Sequence, residues 1–227
     1  MPGGLTGQLW QIAIVAIPII IAITFHEAAH GFVAKQFGDD TAARLGRVTF
    51  NPLKHIDPFG TVILPAFLLL MHAGFVFGYA KPVPVNFNRL HNPKRDMIWV
   101  AAAGPGINLL LALASVALMW LTLHTGLAAN AITENFLLGS VQINLVLAVL
   151  NMLPLPPLDG GRVVTGLLPH NLSVPFGRIE RYGMLIIILA LFLLPLIGEK
   201  LGVDLDIFEF LIARPVNWML HGIMALV

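Results

Sequence analysis

Four stretches of this chain are apolar for long enough to cross a bilayer, and that limits what the rest of it can become. A helix needs about 20 apolar residues to traverse roughly 30 Å of hydrocarbon. Residues 9–37 form one such run, apolar as far as Phe25, and residues 97–123, 136–153 and 182–197 form three more. A fifth, 207–227, is weaker because Arg214 and Pro215 interrupt it. Composition agrees: 57% of the 227 residues are hydrophobic and 11% are charged, against roughly 25% charged in soluble domains. A soluble fold of this size has too little interior for that much apolar surface. The expected class is an all-α polytopic membrane protein of about five to six transmembrane helices. No Lys or Arg precedes Leu9, so the first run is expected to be a span and not a cleavable signal peptide.

Charge and cysteine content remove whole function classes. A formal net charge of +1 gives no footprint for nucleic acid. With no cysteine, disulfide frameworks, Cys-rich metal sites and thiol nucleophiles are all excluded. Any metal must be held by His, Asp or Glu. Any nucleophile must be a hydroxyl, a carboxylate or water.

The run 59–80 is long enough to span, yet it holds Pro65, His72, Gly74 and Gly78. Eight basic residues flank it, four on each side: Lys35, Arg44, Arg47 and Lys54 before, Lys81, Arg89, Lys94 and Arg95 after. Three more, Arg162, Arg178 and Arg181, follow the third span, whereas the link between residues 123 and 136 has none. The positive-inside rule then places both flanks on the cytoplasmic side. That makes 59–80 a re-entrant hairpin, which needs protein or a wet cavity to cover its backbone. By hydropathy alone, a full extra span fits equally well.

The first span carries His26-Glu27-Ala28-Ala29-His30. Imidazoles four residues apart leave one face of a helix, a turn apart, and can reach one Zn²⁺ at about 2.0–2.1 Å each. A glutamate directly after the first ligand can take a proton from an attacking water. Ionisable groups in a lipid-embedded helix cost roughly 2–3 kcal/mol or more each unless paired or coordinated, so a merely decorative polar turn is a poor explanation. A catalytic zinc wants a third protein ligand and an open position. Asp159 is the candidate, the only acid between Glu134 and Glu180, set between a proline-rich break and Gly160-Gly161. Alone it would read as a solvated turn residue.

Together, His26-Glu27-Ala28-Ala29-His30, Gly104-Pro105-Gly106-Ile107-Asn108 and the block from Asn151 to Gly161, ending Leu-Asp-Gly-Gly, resemble the site-2 protease family of intramembrane zinc metalloproteases. The blocks at 46–52 and 81–86 look like those of its minimal branch, without PDZ or CBS modules. The resemblance implies one membrane-embedded domain over residues 1–227. It would have a three-helix catalytic core at about 9–165 and additional C-terminal helices at 182–227. It implies one Zn²⁺ per chain held by His26, His30 and Asp159, Glu27 as catalytic acid/base, and Asn151 assisting near the scissile carbonyl. Asn108 reads as helix–helix glue. Substrates would be transmembrane proteins, pre-trimmed to single-pass segments, cleaved in a bacterial or archaeal cell membrane with the active site toward the cytoplasm. For Asp159 to reach the histidines, the first and third spans must run the same way, which a re-entrant 59–80 allows and a full span does not.

Two further expectations concern the flanking segments. A substrate helix must unwind before attack, and an edge strand could clamp the extended chain; residues 48–50 and Val83 with Val85 are the candidate short β-strands. His55, His91 and His170 are expected to be solvated, with His124 at an outer loop edge and His72 and His221 outside the site. The main rival is a membrane metal-binding carrier or transporter, since intramembrane His and Asp also mark ion paths. It predicts an internal repeat, and the sequence shows none. A non-catalytic relative that only binds membrane partners is the third reading, and the intact Glu27 argues against it.

Overall fold

The computed structural model describes residues 5–63, 66–67, 70, 80–126 and 130–225. Three long helices form its centre: α1 (Leu5–Gln36), α2 (Pro93–Thr125) and α3 (Ala131–Asn151). Among the described residues, three helical stretches combine the length and apolarity to cross a membrane: Ala13–Gln36, Pro93–Thr125 and Ala131–Asn151. The start of α2 is pre-formed by Pro93 in its first turn, where a missing N–H costs nothing. The Asp96 carboxylate accepts the Asn92 N–H there at 2.7 Å. Gly126, in the left-handed region at φ 66°, closes the other end. Asn130 then caps α3, its side chain accepting the N–H groups of Ile132 and Thr133, both at 3.0 Å.

Cross-helix hydrogen bonds fix the directions. His30 meets Val100 while Asn108 meets Ala22, so α1 and α2 are antiparallel. Asn108 meets Asn144 while Ser115 meets Ser140, so α2 and α3 are antiparallel too. The first and third helices therefore run the same way, as the expected metal site requires. Two short helices follow, the amphipathic α4 (Asp159–Leu167) and α5 (His170–Gly177). The fourth apolar run forms α6, helical through 180–201 with a π-helical turn at Leu189–Leu193. The weak fifth run forms α7, helical through 207–224. Its Ile212 and Val216 bury against Ala112, Val116, Val141 and Leu145 of α2 and α3.

The insert between α1 and α2 leaves and returns at one end of the bundle. The His91 N–H donates to Phe37 O at 2.8 Å, and within that loop the Lys81 N–H donates to His55 O at 2.9 Å. Residues 56–80 thus start and finish within one hydrogen bond of each other. Residues 64–65, 68–69 and 71–79, most of the expected hairpin and including Pro65, His72, Gly74 and Gly78, lie outside the described residues.

Two expectations fail here. Neither 48–50 nor 83–85 forms a β-strand, and the described residues contain no ladder. Pro82 and Pro84 have no N–H to give, and the donors beside them are already used: Lys81 on His55 and Val83 on Glu27. Residues 48–50 lie instead against α1, with the Phe25 and Phe50 rings stacked 4.3 Å apart. His55 is not solvated but 3% exposed, its Nε2 2.9 Å from Thr49 O, because it forms the neck of the loop.

Asp39 ties this insert to the end of α1. Fully buried, it accepts the Thr41 hydroxyl and the Thr41 N–H with one oxygen, and the Asn86 N–H at 2.6 Å with the other. Burial opposes its charge, but the hydrogen bonds from Thr41 and Asn86, with the Arg89 guanidinium nearby, win and hold the carboxyl below its ordinary range. A depressed carboxylate contributes stability that is complete above its unfolded pKa and lost as pH falls through the folded one. Asp39→Asn turns one acceptor into a donor facing an N–H, so about 1–3 kcal/mol of stability should be lost. Thermal unfolding between pH 5 and 3 (about the range where carboxylates protonate) should fall for wild type and stay flatter for the variant; parallel curves would refute the assignment.

Candidate metal centre

The second half of α1 presents His26 and His30 from one face, and α4 begins with Asp159 opposite them. The His26 Nε2 and His30 Nε2 atoms are 3.1 Å apart, and Asp159 Oδ2 lies 3.2 Å from the first and 3.3 Å from the second. All three residues are buried, at 6–8% exposure. Four ligands arranged tetrahedrally at 2.0–2.1 Å from zinc are separated by about 3.3 Å. The triangle therefore has the edge length that a zinc ion demands.

Electron-pair bookkeeping points the same way. The His30 Nδ1–H donates to Val100 O at 2.7 Å, and the His26 Nδ1–H to Asn108 Oδ1 at 2.6 Å. With both Nδ1 atoms protonated, each neutral ring turns the lone pair of Nε2 toward the other and toward a carboxylate. Asp159 Oδ2 is buried without a hydrogen-bond donor. Three facing electron-pair donors repel unless a cation joins them. His26, His30 and Asp159 are also the group of His, Asp and Glu side chains, among the described residues, able to converge on one ion.

Backbone shape makes that convergence possible. Gly104 of α2 passes directly over the histidines, where a Cβ would meet His26 Cε1 and His30 Nε2 at 2.5 Å each. Gly160 and Gly161 let the start of α4 press against the backbone of Met152, Leu153, Leu155 and Pro156, which turns the chain sharply enough to bring Asp159 back over the bundle. The carboxylate sits in the first turn of α4, the end where a helix favours negative charge.

The other expected site residues divide. Glu27 follows His26 on α1, and its Oε2 accepts the Val83 N–H at 2.7 Å. The segment bearing Val83 is held by Arg47, whose guanidinium donates to Lys81 O at 2.6 Å and Pro82 O at 3.3 Å. Asn151 lies at the end of α3 and turns back on its own helix, donating to Leu147 O at 3.0 Å. Asn108, read from the sequence as glue, also orients His26. Asn144, buried beside it, carried no motif that could have flagged it.

Residues 14–135 and 120–194 match the family model described as peptidase family M50. The chain is 42% identical over 184 residues to "Putative zinc metalloprotease YwhC" of Bacillus subtilis, covering 79% of this chain and 80% of that protein. It is 29% identical over 194 residues to "Putative zinc metalloprotease Rip2" of Mycobacterium tuberculosis, covering 84% and 71%. The Rip2 protein of Mycolicibacterium smegmatis is 30% identical over 175 residues, 64% of its length. No solved structure matches the chain. Apolar helices enclosing a His–His–Asp cluster, taken with these matches, mark the chain as a membrane-embedded zinc metalloprotease. Within that class the chain belongs to peptidase family M50, the site-2 protease family that its motifs resemble. A metal carrier is not favoured.

Proposed function

We propose that this protein is an HExxH-type endopeptidase that cuts membrane proteins within or beside a transmembrane segment, using one zinc per chain held by His26, His30 and Asp159. The observation that carries this reading is the triangle of donor atoms with edges of 3.1–3.3 Å, buried in a helix bundle built for lipid. Zinc held there supplies Lewis acidity, polarising a scissile carbonyl and making water nucleophilic near neutral pH. Glu27 accepts the proton of the attacking water on its carboxylate and returns it to the leaving amine. The Val83 N–H steadies one oxygen of that carboxylate. Asn151 serves the carbonyl oxygen from its amide, after releasing Leu147 O.

Substrates in this reading are single-pass segments already trimmed by another protease, as the family resemblance implies; an intact helix keeps its amides bonded internally and must unwind to be cut. Eleven of the thirteen Lys and Arg residues precede residue 182. Eight of them lie between the last turn of α1 and the first turn of α2 and three in the region after α3, and the 126–130 link has none. That asymmetry supports an active site toward the cytoplasm, and the membrane in this reading is that of a bacterial or archaeal cell. The ends of 56–80 are joined on one side of the bundle by the Lys81–His55 hydrogen bond. All of 1–227 is then one domain with α6 and α7 appended to the core.

Purified protein should contain one zinc per chain, and chelation should abolish cleavage of a single-pass substrate until zinc is restored. Metal far below one equivalent, or cleavage indifferent to chelation, would reject the proposal.

A further inference from the structure

From His26 a line of buried hydrogen bonds runs away from the metal centre through three apolar helices. Asn108 Oδ1 faces the His26 Nδ1–H at 2.6 Å, and the Asn108 amide N–H groups donate to Ala22 O at 3.3 Å and to Asn144 Oδ1 at 2.8 Å. Asn144 in turn donates from Nδ2 to Ser140 O at 2.8 Å. The Ser140 and Ser115 hydroxyls lie 2.9 Å apart, and Ser115 donates to Leu111 O at 2.9 Å. Asn108 and Asn144 are 0% and 1% exposed.

Each amide in this line has its direction set by a backbone carbonyl, which can only accept. Ser140 O requires the NH₂ end of Asn144, so the oxygen of Asn144 must face Asn108. That oxygen, with Ala22 O, requires the NH₂ end of Asn108, so the oxygen of Asn108 must face His26. The imidazole then has one choice: hydrogen on Nδ1, lone pair on Nε2. Every donor points away from the metal centre. We propose that Asn144 is a positioning residue for the metal ligand His26, acting through Asn108 by holding that amide from flipping. The inference rests on the zinc reading of the site and extends it to a residue 36 positions from Asn108 in the chain. Outer partners of ligating histidines set their tautomer and basicity, and losing one typically costs about 10–100-fold in metal affinity.

A double-mutant cycle read on zinc affinity tests this, using chelator competition on the purified full-length protein. Asn108→Leu should weaken zinc about 10–100-fold. Asn144→Leu should weaken it about fivefold, because Ala22 O still orients Asn108 in part, and should add nothing in the Asn108→Leu background. Helix glue alone would give the opposite: either no change in zinc affinity for Asn144→Leu, or the same factor in both backgrounds, and either outcome overturns the proposal. Should Asn144→Leu not fold, Asn144→Ala, which adds no bulk, is read in the same cycle. Wild type that binds no zinc would refute the zinc reading itself, whereas wild type that binds zinc with additive variants refutes only the role of Asn144.

Discussion

Gly104→Ala should empty the metal centre with a single methyl group. The added Cβ would stand 2.5 Å from His26 Cε1 and from His30 Nε2, closer than carbon packs against either atom. Relief requires the two rings to turn away or α2 to retreat, and either motion breaks the triangle with Asp159. Retreat is resisted by the bonds Asn108 and Val100 make to the same histidines. Zinc affinity should fall about 100-fold or more, beyond the usual loss of an outer hydrogen bond. Gly106, two residues on, supplies the control: a Cβ there meets nothing within 4 Å, so Gly106→Ala should leave affinity and activity unchanged. Equal zinc content in the two variants would show that α2 is not packed on the ligands.

Glu27→Gln should separate binding from chemistry. The amide keeps the volume and can still accept the Val83 N–H through its oxygen, so the local structure and the zinc content should be retained. It cannot take a proton from water. General-base catalysis is worth about 10²–10⁴-fold, so cleavage should drop by that factor while bound segments stay uncut. Proteomic trapping of membrane proteins on the variant would then reveal the substrates. Identical processing by wild type and Glu27→Gln would remove Glu27 from the mechanism, and loss of zinc would make it a structural residue.

How much of this was legible beforehand depended on the range of the forces involved. His26, His30 and Asp159 stood out because their spacing and chemistry are rare in lipid, and the structure brings their donor atoms together. The requirement that the first and third spans run the same way is met by the Asn108–Asn144 and His30–Val100 pairings. The strands were misread because Pro-Val-Pro-Val alternates as an edge strand does, while the destination of its few N–H groups lies far off in sequence: Val83 and Glu27 are 56 residues apart. His55 failed for a related reason. Polar neighbours in sequence indicate water, but its burial comes from the loop neck closed by Lys81. Asn144 gave no sign at all, since nothing in Gln142-Ile143-Asn144-Leu145 says that an amide from another helix will need orienting.

The three donor atoms of the proposed zinc site belong to residues separated by more than half of the chain, and this bears on how the molecule comes into being. A polypeptide emerging from the ribosome offers two imidazoles early, but the carboxylate appears 129 residues later (159 − 30). Synthesis at about 5–20 residues per second leaves several seconds in which half a coordination shell exists. In the proposed zinc site, metallation would therefore wait for α4 to emerge and fold back, and hydrolytic competence would arrive only after the bilayer has received the first three helices.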